Sequence, residues 1–227
     1  MTDNLLLARL LVHERNAVQR GSVVIACTPG QILLKPNVHP EFIFFPIDVT
    51  VSIIRSLRDG NRVQLGLVGN EGIVGFDALM DSKVQADGAV VQSSGNAYCM
   101  PADELRRQFH RGGMLQKYLL RFTNAFLSQL AQNAACIRFH SLEARLARWL
   151  LMTNDRSGSD VDGTASTFAE ALGASETSME NALARLAGKK AIRRRRESVQ
   201  IADTETLEVD SCECYESLRQ VYDNALG

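Results

Sequence analysis

Apolar positions change their period along the chain. Over residues 4–20, Leu6, Leu7, Leu10, Leu11 and Val18 recur at helical spacing, which predicts one amphipathic helix. From Gly21 to about Met100 the pattern becomes short β-rich runs: SVVIACT (22–28), QILL (31–34), FIFF (42–45), VTVSII (49–54), RVQLGLV (62–68), GAVVQ (88–92) and NAYCM (96–100). Pro29-Gly30, Pro36-Asn37, Asp59-Gly60, Gly69-Asn70 and Ser94-Gly95 punctuate them. Strands so spaced, with such turns, predict an all-β sandwich or roll. Asp59-Gly60, between VSIIRSL and NRVQLGL, is the clearest hairpin signal.

Helical spacing then returns. Pro101 opens a short helix, and a longer pattern runs over 114–139 through Leu115, Leu119, Phe122, Phe126, Leu130, Ala134 and Ile137. A long helix with one apolar stripe needs a partner, either the roll or its own copy in a two-fold coiled coil. Gln129, Gln132 and Asn133 border the stripe and either set register in a dimer or face water. RLARWLLM (145–152) predicts a further helix, and a polar break follows from Asn154. FAEALGASETSMENALARL (168–186) then reads as two short helices around a tight turn, and KKAIRRRRESVQI (189–201) as a basic strand pair. Asp203 opens a last helix whose apolar candidates include Leu207, Val209, Cys214, Leu218 and Val221.

Composition changes this picture little. The chain is 45% hydrophobic and 22% charged, ordinary for a soluble globular protein, and its formal net charge is −1. Affinity for nucleic acid must therefore come from local asymmetry. Arg185, Lys189, Lys190, Arg193, Arg194, Arg195 and Arg196 supply it, with no acid between them. Apolar runs are too short for a membrane span, and the start lacks a secretory pattern, so a cytoplasmic location is expected. Five irregularly spaced cysteines argue against a disulfide framework. Cys212-Glu-Cys214 offers two thiols, but no second pair has suitable spacing, so packing near the last helix is expected and no metal. The histidines, His13, His39, His110 and His140, are too scattered for a metal enzyme built on a roll, and no catalytic residue is assigned.

The order helix, β-roll, long helix, helix–turn–helix, basic strand pair resembles the Crp/Fnr family of transcription regulators. AQNAACIRFHSLEARLARWLLMTNDR (131–156) is similar to the family's junction between dimer helix and DNA-binding domain. DGNRVQLGLVGNEGIVGFDALM (59–80) resembles the roll's glycine-punctuated turns, IRRRRESVQIAD (192–203) the wing, and SCECY (211–215) a tail seen in one branch. The resemblance implies an α+β fold. Its parts are a β-roll sensor of the cyclic-nucleotide-binding type over 1–113, a dimerisation helix over 114–139 and a winged helix–turn–helix over 140–227. It further implies a homodimer joined through Leu115, Leu119, Phe122, Phe126, Gln129 and Asn133. The expected partners are double-stranded DNA, a second copy and, for an activator, RNA polymerase. The alternative is a ligand-sensing or protein-interaction module with nonspecific DNA contacts.

Departures from the family pattern narrow the cofactor. Cyclic-nucleotide-binding relatives hold ribose and phosphate with a Gly-Glu pair and a downstream Arg-Ser pair. Here Gly75 precedes Phe76, and 84–91 contains no Arg, so neither cyclic AMP nor cyclic GMP is expected. No cysteine precedes Cys27, which argues against the N-terminal iron–sulfur cluster of other relatives. Nothing around His39 or His110 marks a haem site. No cofactor is expected.

By the same resemblance, 172–174 is the turn and 175–187 the reading helix, N-capped by Ser175. Thr177, Ser178 and Glu180 complete its outward face, and Met179, Leu183 and Leu186 its buried one. Relatives usually carry arginine at the positions of Glu176 and Asn181. Glu176 suits the helix N-terminus and accepts from cytosine N4, but repels phosphate; Asn181 fits adenine N6 and N7.

Overall fold

The computed structural model describes residues 3–80 and 86–227. Two short helices open it, α1 (Leu5–Ala8) and α2 (Val12–Arg20), where one was expected. The break leaves Leu11 exposed, while Leu6, Leu7, Leu10 and Val18 are buried. Asn4 fixes the first turn. Its Oδ1 accepts from the Leu7 N–H, and its Nδ2 donates to the carbonyls of Pro46 and Gly72, both at 2.9 Å.

Seven strands follow: β1 (Val23–Cys27), β2 (Ile32–Leu34), β3 (Phe42–Pro46), β4 (Val51–Ser56), β5 (Arg62–Val68), β6 (Gly88–Val91) and β7 (Gly95–Pro101). They form two antiparallel sheets in the orders β1-β7-β3 and β2-β6-β4-β5. β4 and β5 pair from Val51↔Val68 to Ser56↔Arg62 around the expected turn, where Gly60 takes φ +89°. A 3₁₀ turn (Phe76–Met80) follows β5. Ile43, Phe45, Val51, Ile73 and Val91 fill the roll.

Helix α3 (Ala102–His110) leads to α4 (Gly113–Phe139), which lies against the roll. The glycines of the roll permit this close approach. A Cβ on Gly72 would overlap the Phe122 ring, and one on Gly66 would overlap Gln129 Oε1. The helix stripe has thus found its partner within the chain. Leu115, Leu119, Phe122 and Phe126 are at most 3% exposed, and Gln129 is 0% exposed. Gln129 accepts from the Leu67 N–H at 2.8 Å and donates to Tyr222 Oη at 2.8 Å. Asn133 Nδ2 donates to the Leu65 carbonyl at 2.6 Å. Packing and hydrogen bonds inside one chain engage all six of these residues. The open face of α4 carries Leu120, Asn124, Leu127, Ala131, Ala134 and Arg138.

The C-terminal half comprises α5 (Leu142–Ser157), β8 (Asp160–Asp162), α6 (Ala165–Leu172), α7 (Glu176–Gly188), β9 (Ile192–Arg194), β10 (Ser198–Ile201), α8 (Thr204–Asp210) and α9 (Cys214–Leu226). Helix α5 continues past the expected break at Asn154, and Gly158, at φ +88°, ends it. The single last helix expected from the sequence is two, and Val209 is exposed. Leu146, Leu150, Phe168, Leu183, Ile192 and Leu218 share the second core. α9 runs along α4, and the Arg156–Glu71 ion pair (2.8 Å, both side chains 8% exposed) ties α5 to the roll. No helix among the described residues is long and apolar enough to cross a membrane.

Candidate nucleic-acid interface

Local sequence builds the two-helix unit. Thr164 Oγ1 caps α6, and Gly173, at φ +60° and ψ +50°, makes the left-handed turn that a side chain would resist. Ser175 Oγ accepts from the Ser178 N–H at 3.2 Å and starts α7. Met179, Ala182, Leu183 and Leu186 bury one face of that helix. Ser175, Glu176, Thr177, Ser178, Glu180 and Asn181 stand exposed on the other, as expected. At the far end Lys190 adopts φ +64°, and the Ala191 N–H donates to the Leu186 carbonyl, turning the chain into the wing. The wing has a third strand that the sequence did not suggest. β8 pairs with β10 opposite β9, but its DVD sequence has no apolar run to reveal it.

The basic run is less free than its sequence implies. Lys189 Nζ lies 2.7 Å from both Glu143 Oε1 and Asp210 Oδ1, and Arg185 lies 3.4 Å from Glu143 Oε2. The hydrogen bond from Lys189 holds the Glu143 carboxyl below its usual range, and the Asp210 and Glu143 carboxylates raise Lys189. Arg194 pairs with Glu180 at 2.6 Å and Arg195 with Asp160 at 2.9 Å. Lys190, Arg193 and Arg196 are exposed and have no acidic partner among the described residues. Glu180 is thus neutralised by the wing, whereas Glu176, at the helix N-terminus, has no basic partner among the described residues.

In the roll, Gly75 takes φ +93°, and the Phe76 ring lies edge-on to Phe126, centroids 5.7 Å apart. Of the arginine-free stretch 84–91, residues 84 and 85 lie outside the described residues. A cleft of about 350 Å³ separates the outer face of the β4–β6 sheet from α5 and α6. Ser52, Gln64, Gln92, Trp149 and Glu170 contribute to its walls. Gln92 Nε2 is buried with no hydrogen-bond partner among the described residues.

A second constellation lies where α4 meets α5. Cys136, His140, Cys212 and Cys214 bring one sulfur or nitrogen each within 4.8 Å of one another. Sequence spacing leaves Cys212 and Cys214 without a second pair and His140 among scattered histidines. The missed signal is Cys136 and His140 one helical turn apart, at the end of a helix that the C-x-C segment could reach. The sulfur-to-sulfur hydrogen bond draws the Cys136 thiol down, aided by Arg148 against burial, and pushes Cys212 up.

A β-roll joined by a long helix to a winged helix–turn–helix with an outward reading helix defines a class, the DNA-binding regulator with an attached sensor domain. Comparison with known proteins agrees. Residues 24–111 match the cyclic nucleotide-binding domain and 144–209 the Crp-like helix-turn-helix domain. The chain is 27% identical over 173 residues to the CRP-like cAMP-activated global transcriptional regulator of Mycobacterium tuberculosis, covering 73% of this chain and 77% of the relative. Its fold is similar to that of the c-di-GMP responsive global regulator CLP of Xanthomonas campestris (TM-score 0.68, 15% identity, 84% of this chain, 99% of that one). It is also similar to a CRP-family transcriptional regulator of Thermus thermophilus, TTHB099 (TM-score 0.68, 18% identity, 82% and 96%). This chain belongs to the Crp/Fnr family of transcription regulators.

Proposed function

We propose that the protein is a cytoplasmic, non-enzymatic homodimer that binds a palindromic operator, with the β-roll as its sensor. The observation that carries this reading is the joint exposure of α7 and the wing. Ser175, Glu176, Thr177, Ser178, Glu180 and Asn181 face the major groove, while Lys190, Arg193 and Arg196 hold phosphate without competition from a carboxylate. Arg185, Lys189, Arg194 and Arg195 join them by exchanging an acidic partner for phosphate. The dimer seam is the open stripe of α4, Leu120, Asn124, Leu127, Ala131, Ala134 and Arg138, whose alternating four- and three-residue steps suit a coiled coil. A signal acts by shifting the spacing of the two reading helices, so that both reach half-sites one DNA turn apart. The cleft between roll and α6 is where a small molecule would touch both halves at once. As an activator, the dimer would also contact RNA polymerase.

Cyclic AMP and cyclic GMP are not its effectors on this reading. Phe76 stands where a ribose-binding carboxylate would be, and its ring is packed on Phe126. Operator selection with purified protein, with and without cyclic nucleotide, tests both points. An enriched palindrome that cyclic nucleotides leave unchanged is expected. Recovery of no palindrome under any condition would favour the protein-interaction reading, for which Glu176 speaks, and enrichment only with cyclic AMP would overturn the exclusion of cyclic nucleotides as effectors.

A further inference from the structure

We propose that Cys136, His140, Cys212 and Cys214 bind one tetrahedral, zinc-like divalent ion that fastens the DNA-binding half to the end of the long helix. This goes beyond the reading above and stands without it. Cys136 sits in the last turn of α4, His140 at its C-terminal cap, and Cys212 and Cys214 where α8 gives way to α9. Their donor atoms already approximate a coordination shell. Cys136 Sγ and Cys212 Sγ are 3.5 Å apart, and Cys214 Sγ and His140 Nδ1 are 3.4 Å apart. Two thiolates on one tetrahedral ion, each at about 2.3 Å, lie about 3.8 Å from each other. A multi-iron cluster needs thiolates spread over separate irons, which donors this close do not provide.

The surroundings match what such an ion requires. His140 turns Nδ1 toward the sulfurs, and its Nε2 lies 3.2 Å from Glu213 Oε1, the carboxylate–histidine arrangement that fixes a ligating imidazole. Gln132 Nε2 is 2.9 Å from Cys214 Sγ, placed to donate to a thiolate. Three thiolates and one imidazole around a divalent ion leave one negative charge. Arg145 and Arg148 are both buried on α5 close by, and Arg148 Nε has no hydrogen-bond partner among the described residues. Three of the four ligand residues are buried and His140 is partly so, which shields the site from exchange with solvent. Binding forms three metal–sulfur bonds and one metal–nitrogen bond and releases the thiol protons, with no change in oxidation state.

The test is metal content of the full-length protein, purified in reductant and dialysed against metal-free buffer. One zinc per chain is expected by mass spectrometry, and cobalt(II) in its place should give the visible spectrum of a tetrahedral thiolate site. Cys136→Ser and Cys212→Ser should lose the ion, His140→Cys should keep it, and Glu213→Ala should weaken retention by roughly 10–100-fold. Should a serine variant fail to fold, cobalt titration of chelator-treated wild type decides. Reduced, folded wild type that takes up neither zinc nor cobalt overturns the proposal, as does isolation of a Cys136–Cys212 disulfide in place of the ion.

Discussion

Glu180 on the reading helix and Arg194 on the wing meet at 2.6 Å, and that contact alters how the basic run should be read. A surface pair of this kind is worth little stability, about 0–1 kcal/mol, but it engages one cation of the basic run with a carboxylate. Lys189 is engaged by two carboxylates. DNA binding should therefore respond unequally along the run. Arg193→Ala and Arg196→Ala, each removing one contact per protomer, should each lower the slope of log affinity against log salt by about 0.9 per protomer, or about 1.8 for the dimer. Glu180→Gln should release Arg194 and tighten binding at low salt. Fluorescence anisotropy across a salt series measures both, and equal slopes for wild type and the two alanine variants would show that these arginines do not reach phosphate.

At the scale of elements, the two faces of α4 differ in what they touch within the chain. Phe122 packs against Gly72 so closely that a Cβ there would overlap its ring. Phe122→Ala should therefore destabilise the protomer by roughly 3–5 kcal/mol. Leu127, 55% exposed, has no such role within the chain. Leu127→Glu should leave protomer stability within about 0.5 kcal/mol yet shift the protein toward monomer. Sedimentation, read beside chemical denaturation, separates the two effects. A dimer undisturbed by Leu127→Glu would move the seam elsewhere. The apolar stripe predicted the helix correctly and could not say which partner would cover it, because leucine and phenylalanine suit a roll and a coiled coil alike.

For the whole molecule, the decisive contacts lie between the halves. Arg156 and Glu71 are both buried, and removing one leaves the other charged and without its partner. Such a loss costs about 3–5 kcal/mol. Wild type should unfold in one calorimetric transition, because Gln129 and Asn133 join the same interface through Tyr222 and the β5 backbone. Glu71→Ala should lower the midpoint and split the transition in two. A single unshifted transition in the variant would mean that the Arg156–Glu71 pair does not couple the halves, and two transitions in wild type would mean that the halves are independent.

Local pattern was enough for much of this protein. Alternation and turn residues gave the strands of the roll, helical spacing gave α4 and α7, and Gly173 and Ser175 marked the turn and cap, because these depend on near neighbours in the chain. The order of elements and the quoted motifs gave the resemblance to the family. Tertiary structure decided the rest. It turned the apolar face of α4 inward, paired Glu180 with Arg194, and brought Cys136 and His140 to Cys212 and Cys214 across more than seventy residues. Those outcomes depend on which surfaces meet, and a one-dimensional pattern fixes the face of a helix without fixing what that face will touch.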